Sequence, residues 1–215
     1  MEERIKKHLD LLVERYPLLV TCKNEINEAY NILETSYASG RKLLVAGNGG
    51  SAADSEHIVG ELMKEFKLKR KIYSHQADLL KEIDPILGPT LADNLQGTLP
   101  AIALVCESAL STAYMNDAVP ELVFAQQVNG YGKPGDVFLG ISTSGNSKNV
   151  LYAAITAKSK GLKVIGLTGK NKNKLETFSD VCIHVDETET YKIQELHLPV
   201  YHCLCLMLED KFFGE

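Results

Sequence analysis

Lys42-Leu43-Leu44-Val45-Ala46-Gly47-Asn48-Gly49-Gly50-Ser51 is the stretch that decides the fold. Its first five residues have the composition of a short buried strand, the glycines turn the chain, and Ser51 opens a helical pattern over residues 51–66. Strand, glycine turn and helix make the first half of a βαβ unit. Working outward, bounded apolar runs at 101–105, 137–141, 163–167 and 181–185 predict four more strands, with helical patterns at 147–160 and 172–178 between them. This alternation predicts an α/β fold with a mostly parallel five-stranded sheet, and right-handed crossovers place helices on both faces as a three-layer sandwich. Leu19, Cys22, Ile26, Tyr30, Leu33 and Tyr37 predict an amphipathic helix over 18–37, closed by Gly40. Ile193, Leu196, His197, Val200, Cys203, Leu204 and Met207 predict a last helix over 191–212.

The chain reads as one domain, residues 1–215, with an insert at about 67–100 that breaks the rhythm. The insert holds a basic run, Lys67-Leu68-Lys69-Arg70-Lys71, then an amphipathic piece at 77–83, then several prolines and glycines. The run reads as a solvated helix exit, its cations favoured by the C-terminal dipole, with a phosphate contact as the alternative. Hydrophobic content of 45% and charged content of 24% are ordinary for a soluble globular chain, and no apolar run approaches the length of a membrane span. The opening residues Met1 to His8 carry no apolar signal core, so a cytoplasmic location is expected. Five cysteines without a Cys-x-x-Cys pair argue for reduced thiols. A net charge of −5 disfavours a general nucleic-acid partner.

Two loops look built for a phosphate. In the first, the glycines admit a ligand close to the backbone, and a helix N-terminus attracts an anion, with Ser51 as the expected cap and Asp54 completing a capping-box pattern. Such turns also join strands to helices without any ligand. The second, Ser142-Thr143-Ser144-Gly145-Asn146-Ser147, gathers four hydroxyls at the carboxyl end of a strand, the usual ligand position of an open α/β sheet, with Ser147 as the next helix cap. His57 and Glu61, four apart, share a helix face, where they can bind a divalent metal, form a base with its orienting partner, or be a polar surface. Gln194 and His202 lie eight apart on the last helix, a rise of about 12 Å that allows a shared site without demanding one.

The Gly-Asn-Gly-Gly-Ser and Ser-Thr-Ser-Gly-Asn-Ser loops resemble those of the sugar isomerase (SIS) domain, a flavodoxin-like five-stranded parallel fold that binds phosphosugars. The run Ile193-Gln194-Glu195-Leu196-His197 with His202 is similar to the Ile-Gln-Glu-x-His motif of the phosphoheptose isomerase branch. The resemblance covers most of the chain outside the insert. It implies that His57, Glu61, Gln194 and His202 surround a zinc ion, and that Glu61 and His202 are catalytic. It implies substrate contacts from Asn48, Gly49, Gly50, Ser51, Glu61, Asn116, Asp117, Ser142, Thr143, Ser144, Ser147 and Gln194. It further implies a homotetramer that converts sedoheptulose 7-phosphate to D-glycero-D-manno-heptose 7-phosphate.

Aldose–ketose exchange passes a proton between adjacent carbons through an enediol(ate), so it needs a carbon base, a second acid/base and a holder for negative charge. Glu61, His202 and zinc would supply these, although a zinc-bound carboxylate is a poorer base. SIS domains also act as phosphosugar sensors or as modules that bind the replication initiator DnaA, and the tail Cys203-Leu204-Cys205 resembles that of the DnaA-binding modules. Those modules tend to lack the acid and base that this chain has. Three departures bear on the substrate, another sugar phosphate being the alternative: the insert, the pair Tyr191-Lys192 before Gln194, and Pro199 between Gln194 and His202, where a helix kink is expected. His184 and His197 read as structural, and Cys203 and Cys205 as buried thiols.

Overall fold

Along β1 (Leu43–Gly47), Leu43 and Val45 enter one hydrophobic layer while Leu44 and Ala46 enter another, the period of two that strand geometry imposes. The computed structural model, which describes residues 2–214, surrounds this strand on both faces. With β2 (Ala101–Ala103), β3 (Val137–Ile141), β4 (Lys163–Thr168) and β5 (Val181–His184) it forms one parallel sheet in the order β2-β1-β3-β4-β5. The expected strand at 137–141 has its expected bounds; the first differs by one residue at each end and the other three by one or two residues at one end. One helical layer consists of α1 (Glu3–Arg15), α2 (Lys23–Ala38), α3 (Gly50–Met63) and, at the far end of the chain, the helix Thr190–Phe213. The fold is therefore the expected α/β sandwich, with N- and C-terminal helices on one face.

The remaining helices are α4 (Ser74–Ile83), α5 (Gly88–Asn94), α6 (Ser108–Asp117), α7 (Val123–Tyr131), α8 (Lys148–Ser159) and α9 (Lys174–Phe178), which makes the C-terminal helix α10. The helices α7, α8 and α9 form the opposite layer. The expected helix at 18–37 is divided: Pro17, at the first turn of a 3-10 segment Pro17–Cys22, starts a new piece after α1. Periodicity does not announce α6, because it buries no residue and so carries no apolar stripe. In the insert, α4 also buries nothing, and an antiparallel bridge between Lys71 and Gln96 closes the insert's base. No helix among the described residues is long and apolar enough to cross a membrane.

One residue of the basic run departs from its expected role, while Lys67, Lys69 and Lys71 are exposed as expected. Helix α3 ends at Met63, before the run begins, and Arg70 is fully buried against Glu209, Nε to Oε1 at 2.8 Å. Arg70 also donates to the carbonyls of Leu62 at 2.8 Å and Glu61 at 3.0 Å, while Glu209 accepts from the amides of Phe66 at 2.8 Å and Lys67 at 2.9 Å. A buried guanidinium persists here because a buried carboxylate and two backbone oxygens accept its hydrogen bonds. Helix α10 runs through Pro199 without interruption. Cys203 and Cys205 are buried along it, and burial pushes the Cys203 thiol up to about 12.

Candidate active site

The connection from β1 leads to β2 on one side, whereas the chain beyond β3 continues to β4 on the other, so the loops after β1 and β3 flank the point where strand order reverses. Crevices of open α/β sheets form at such points. In the first loop Gly49 has φ +56°, a conformation that favours glycine, and it is the N-cap of α3 without a side-chain cap bond. Ser51 is thus not the cap. It lies buried inside the first turn, its carbonyl accepting from Ser55 Oγ at 2.8 Å, and Asp54 turns away from the helix end to Tyr201. Gly50 is needed for close approach: a Cβ there would stand 2.6 Å from Gln194 Nε2, so α10 presses Gln194 onto the glycine loop. Asn48 exchanges amide hydrogen bonds of 3.0 and 2.8 Å with Asn149 of α8, tying this loop to the helix that follows the second one.

In the second loop Ser142 is buried with its Oγ 3.0 Å from that of Ser147. Ser147 occupies the N-cap of α8 as expected, but its hydroxyl makes no cap bond. Ser144 Oγ accepts from the amide of Asn146 at 3.2 Å. Thr143, Ser144 and Asn146 line a cavity of about 220 Å³ together with Gly169, Lys170 and Lys172 from the loop after β4. Those two lysines were not foreseen; Lys170 is held by Asp186 at 2.6 Å. Asn116 and Asp117, the exposed end of α6, bond to each other at 2.8 Å and to neither loop among the described residues.

Beside the glycine loop, α3 and α10 bring three titratable groups together. His57 Nε2 lies 3.2 Å from Glu61 Oε1 and 3.5 Å from His202 Nε2. The His57 and His202 rings meet edge to face with centroids 4.9 Å apart, and Phe66 covers His202 at 5.4 Å. Glu61 is only 12% exposed; its Oε2 is buried without a hydrogen-bond partner, with Lys64 Nζ 3.6 Å away. Burial, and then the neighbouring His57, hold His202 below the ordinary histidine range, against the pull of Glu61. Burial raises Asp54 above the usual carboxylate range, partly offset by the hydrogen bond from Tyr201. A buried carboxylate beside two imidazoles is suited to moving protons at adjacent atoms of a bound molecule.

The SIS domain model matches residues 88–169. The phosphoheptose isomerase of Rhodospirillum rubrum is 37% identical over 210 residues, 98% of each chain. This chain belongs to the phosphoheptose isomerase family. Two solved phosphoheptose isomerases share its architecture at 28% identity: that of Neisseria gonorrhoeae, with a TM-score of 0.73 over 97% of this chain and 98% of that one, and that of Francisella tularensis, with 0.72 over 94% and 98%.

Proposed function

We propose that this protein interconverts sedoheptulose 7-phosphate and D-glycero-D-manno-heptose 7-phosphate. The observation that carries the reading is the meeting of Glu61 and His202 at His57, beside the glycine loop, in a chain of this family. The phosphate rests on the loop Ser142 to Ser147, whose hydroxyls and amides donate to its oxygens. Asn48, Gly49, Gly50, Ser51 and Gln194 line the approach to the sugar, and Asn116 and Asp117 reach it from α6. Glu61 takes a proton from C1 of the ketose and returns it to C2. His202 moves the proton between the two oxygens, so that C1 is oxidised as C2 is reduced and no external electron carrier is needed.

Zinc held by His57, Glu61, Gln194 and His202 would polarise a substrate oxygen. The chemistry of the donors fits: two imidazoles, a carboxylate with an orphaned buried oxygen, and an amide, with separations of 3.2 and 3.5 Å near the ~3.3 Å edge of a tetrahedron of ~2.0 Å bonds. The three groups meet in a row, Glu61 to His57 to His202, rather than as a ready-made metal-holding group among the described residues. A single domain over 1–215, a cytoplasmic location and a homotetramer complete the reading. Five free cysteines support the second. The exposure of Ile83, Ile86 and Leu87 supports the association of subunits.

Purified zinc-loaded protein should form the heptose 7-phosphate aldose from sedoheptulose 7-phosphate, and chelation should lower that turnover. Glu61→Gln and His202→Asn should each lose at least 100-fold in kcat. A wild-type chain that binds the phosphosugar without converting it would overturn the reading in favour of a sensor.

A further inference from the structure

Behind the reacting cluster runs a second row of polar groups that the isomerase chemistry does not use. Tyr201 precedes His202 on α10 and is 2% exposed, yet its hydroxyl reaches α3 at two points. It donates to Asp54 Oδ1 at 3.2 Å and lies 3.0 Å from His57 Nδ1. The rings of Tyr201 and His57 meet edge to face with centroids 5.5 Å apart, so the imidazole plane is fixed as well as its hydrogen bond. Asp54 and His57, three apart on α3, share the face that meets α10.

Counting protons along this row assigns its direction. A phenol has one proton and a carboxylate can only accept. Once Tyr201 donates to Asp54, its oxygen is left to accept from His57, which must therefore carry a proton on Nδ1. In the neutral ring Nε2 then presents a lone pair to Glu61 Oε1 and His202 Nε2. Two lone pairs facing each other at 3.2 Å call for a positive centre between them. We propose that Tyr201, anchored by Asp54, is a positioning residue that fixes the orientation and tautomer of His57, holding Nε2 as a lone-pair donor aimed at the Glu61–His202 cluster. The inference deepens the isomerase reading and rests on it for the role of that cluster. Neighbours that hold the far nitrogen of a ligating histidine set both its tautomer and its basicity, and their loss commonly costs 10–100-fold in metal affinity or activity.

Tyr201→Phe keeps the ring and its packing and removes only the hydroxyl; Asp54→Asn can donate where the carboxylate accepted, which frees the phenol proton for His57 Nδ1. Both are compared with wild type as full-length protein by three measurements. The first is the 15N shifts of labelled histidine at about pH 8, above the ordinary histidine range, with His57 assigned through His57→Asn. The second is zinc affinity by competition with a chromophoric chelator. The third is steady-state turnover of sedoheptulose 7-phosphate. The expected result is an Nδ1–H tautomer at His57 in wild type, shifted towards Nε2–H in both variants. A loss of roughly 10–100-fold in zinc affinity and in kcat should accompany it, with KM changed by less than about threefold and the melting temperature nearly unchanged. A wild-type His57 protonated on Nε2, or a Tyr201→Phe protein with wild-type tautomer and zinc affinity, overturns the proposal. If wild type shows no isomerase activity while the tautomer still depends on Tyr201, the isomerase reading fails and the positioning role stands.

Discussion

Replacing Glu209 by Gln should be among the most damaging single changes in the protein, although position 209 lies outside the reacting cluster. The side chains of Arg70 and Glu209 are 0% and 1% exposed, so the substitution leaves a guanidinium buried without its counter-charge. Breaking such a pair from one side costs about 3–5 kcal/mol. For a chain of this size each kcal/mol moves the melting temperature by roughly 2–4 °C, so the expected drop is roughly 6–20 °C. The instructive comparison is the double variant Arg70→Met/Glu209→Met. An isolated buried pair can be exchanged for apolar side chains at little cost. This pair, however, also satisfies the carbonyls of Glu61 and Leu62 and the amides of Phe66 and Lys67. Four stranded backbone groups at about 1 kcal/mol or more apiece should keep the double variant at least about 3 kcal/mol below wild type. Urea unfolding followed by circular dichroism measures both. A double variant as stable as wild type would refute the idea that the pair works by fastening the chain beyond α3.

Gly50→Ala should leave stability within about 1 kcal/mol, since the clash falls on the movable end of Gln194, yet lower kcat by roughly 10–100-fold by displacing that amide; steady-state kinetics and a melting curve on one preparation test both halves. Burial lowers His197 from 6.5 to about 4, so between those values the unfolded chain binds the proton first and stability falls as pH falls. The gap between 6.5 and about 4 amounts to about 3 kcal/mol, complete above pH 6.5 and lost towards pH 4. His197→Gln should therefore show a shallower loss of urea-unfolding free energy across that window, and an unchanged slope would count against a neutral buried His197.

What the sequence discloses and what it hides follow from the range of the interactions. The strand at 137–141 is legible because its burial is continuous and turn residues bound it. The division of the expected helix at 18–37 is legible afterwards in Pro17, but the apolar period runs across the break and masks it. Ser51 and Asp54 have the spacing of a capping box, yet Gly49 takes the cap and Asp54 finds Tyr201, a partner no local rule can name. Arg70 reads as solvated like the lysines around it because Glu209, which buries it, lies 139 positions away. Of the site, the loops could be read from composition at strand ends. The approach of His57 to His202 could be anticipated only through the family's motif, since the spacing of Gln194 and His202 leaves it open.

The bonds that join α3 to α10 have a consequence for the order of events during synthesis. His57 and His202 are separated by 145 positions, Asp54 and Tyr201 by 147, and Arg70 and Glu209 by 139. At a translation rate of roughly 5–20 residues per second, Arg70 waits about 7–28 s for the carboxylate that neutralises it. Through that interval the strands β2 to β5 are added to β1 while the face α10 will cover stays open. The nascent chain is thus a nearly complete sheet with one apolar face bare and a cation without its anion, and the arrival of one helix closes the core, discharges Arg70 and assembles the reacting cluster in a single step.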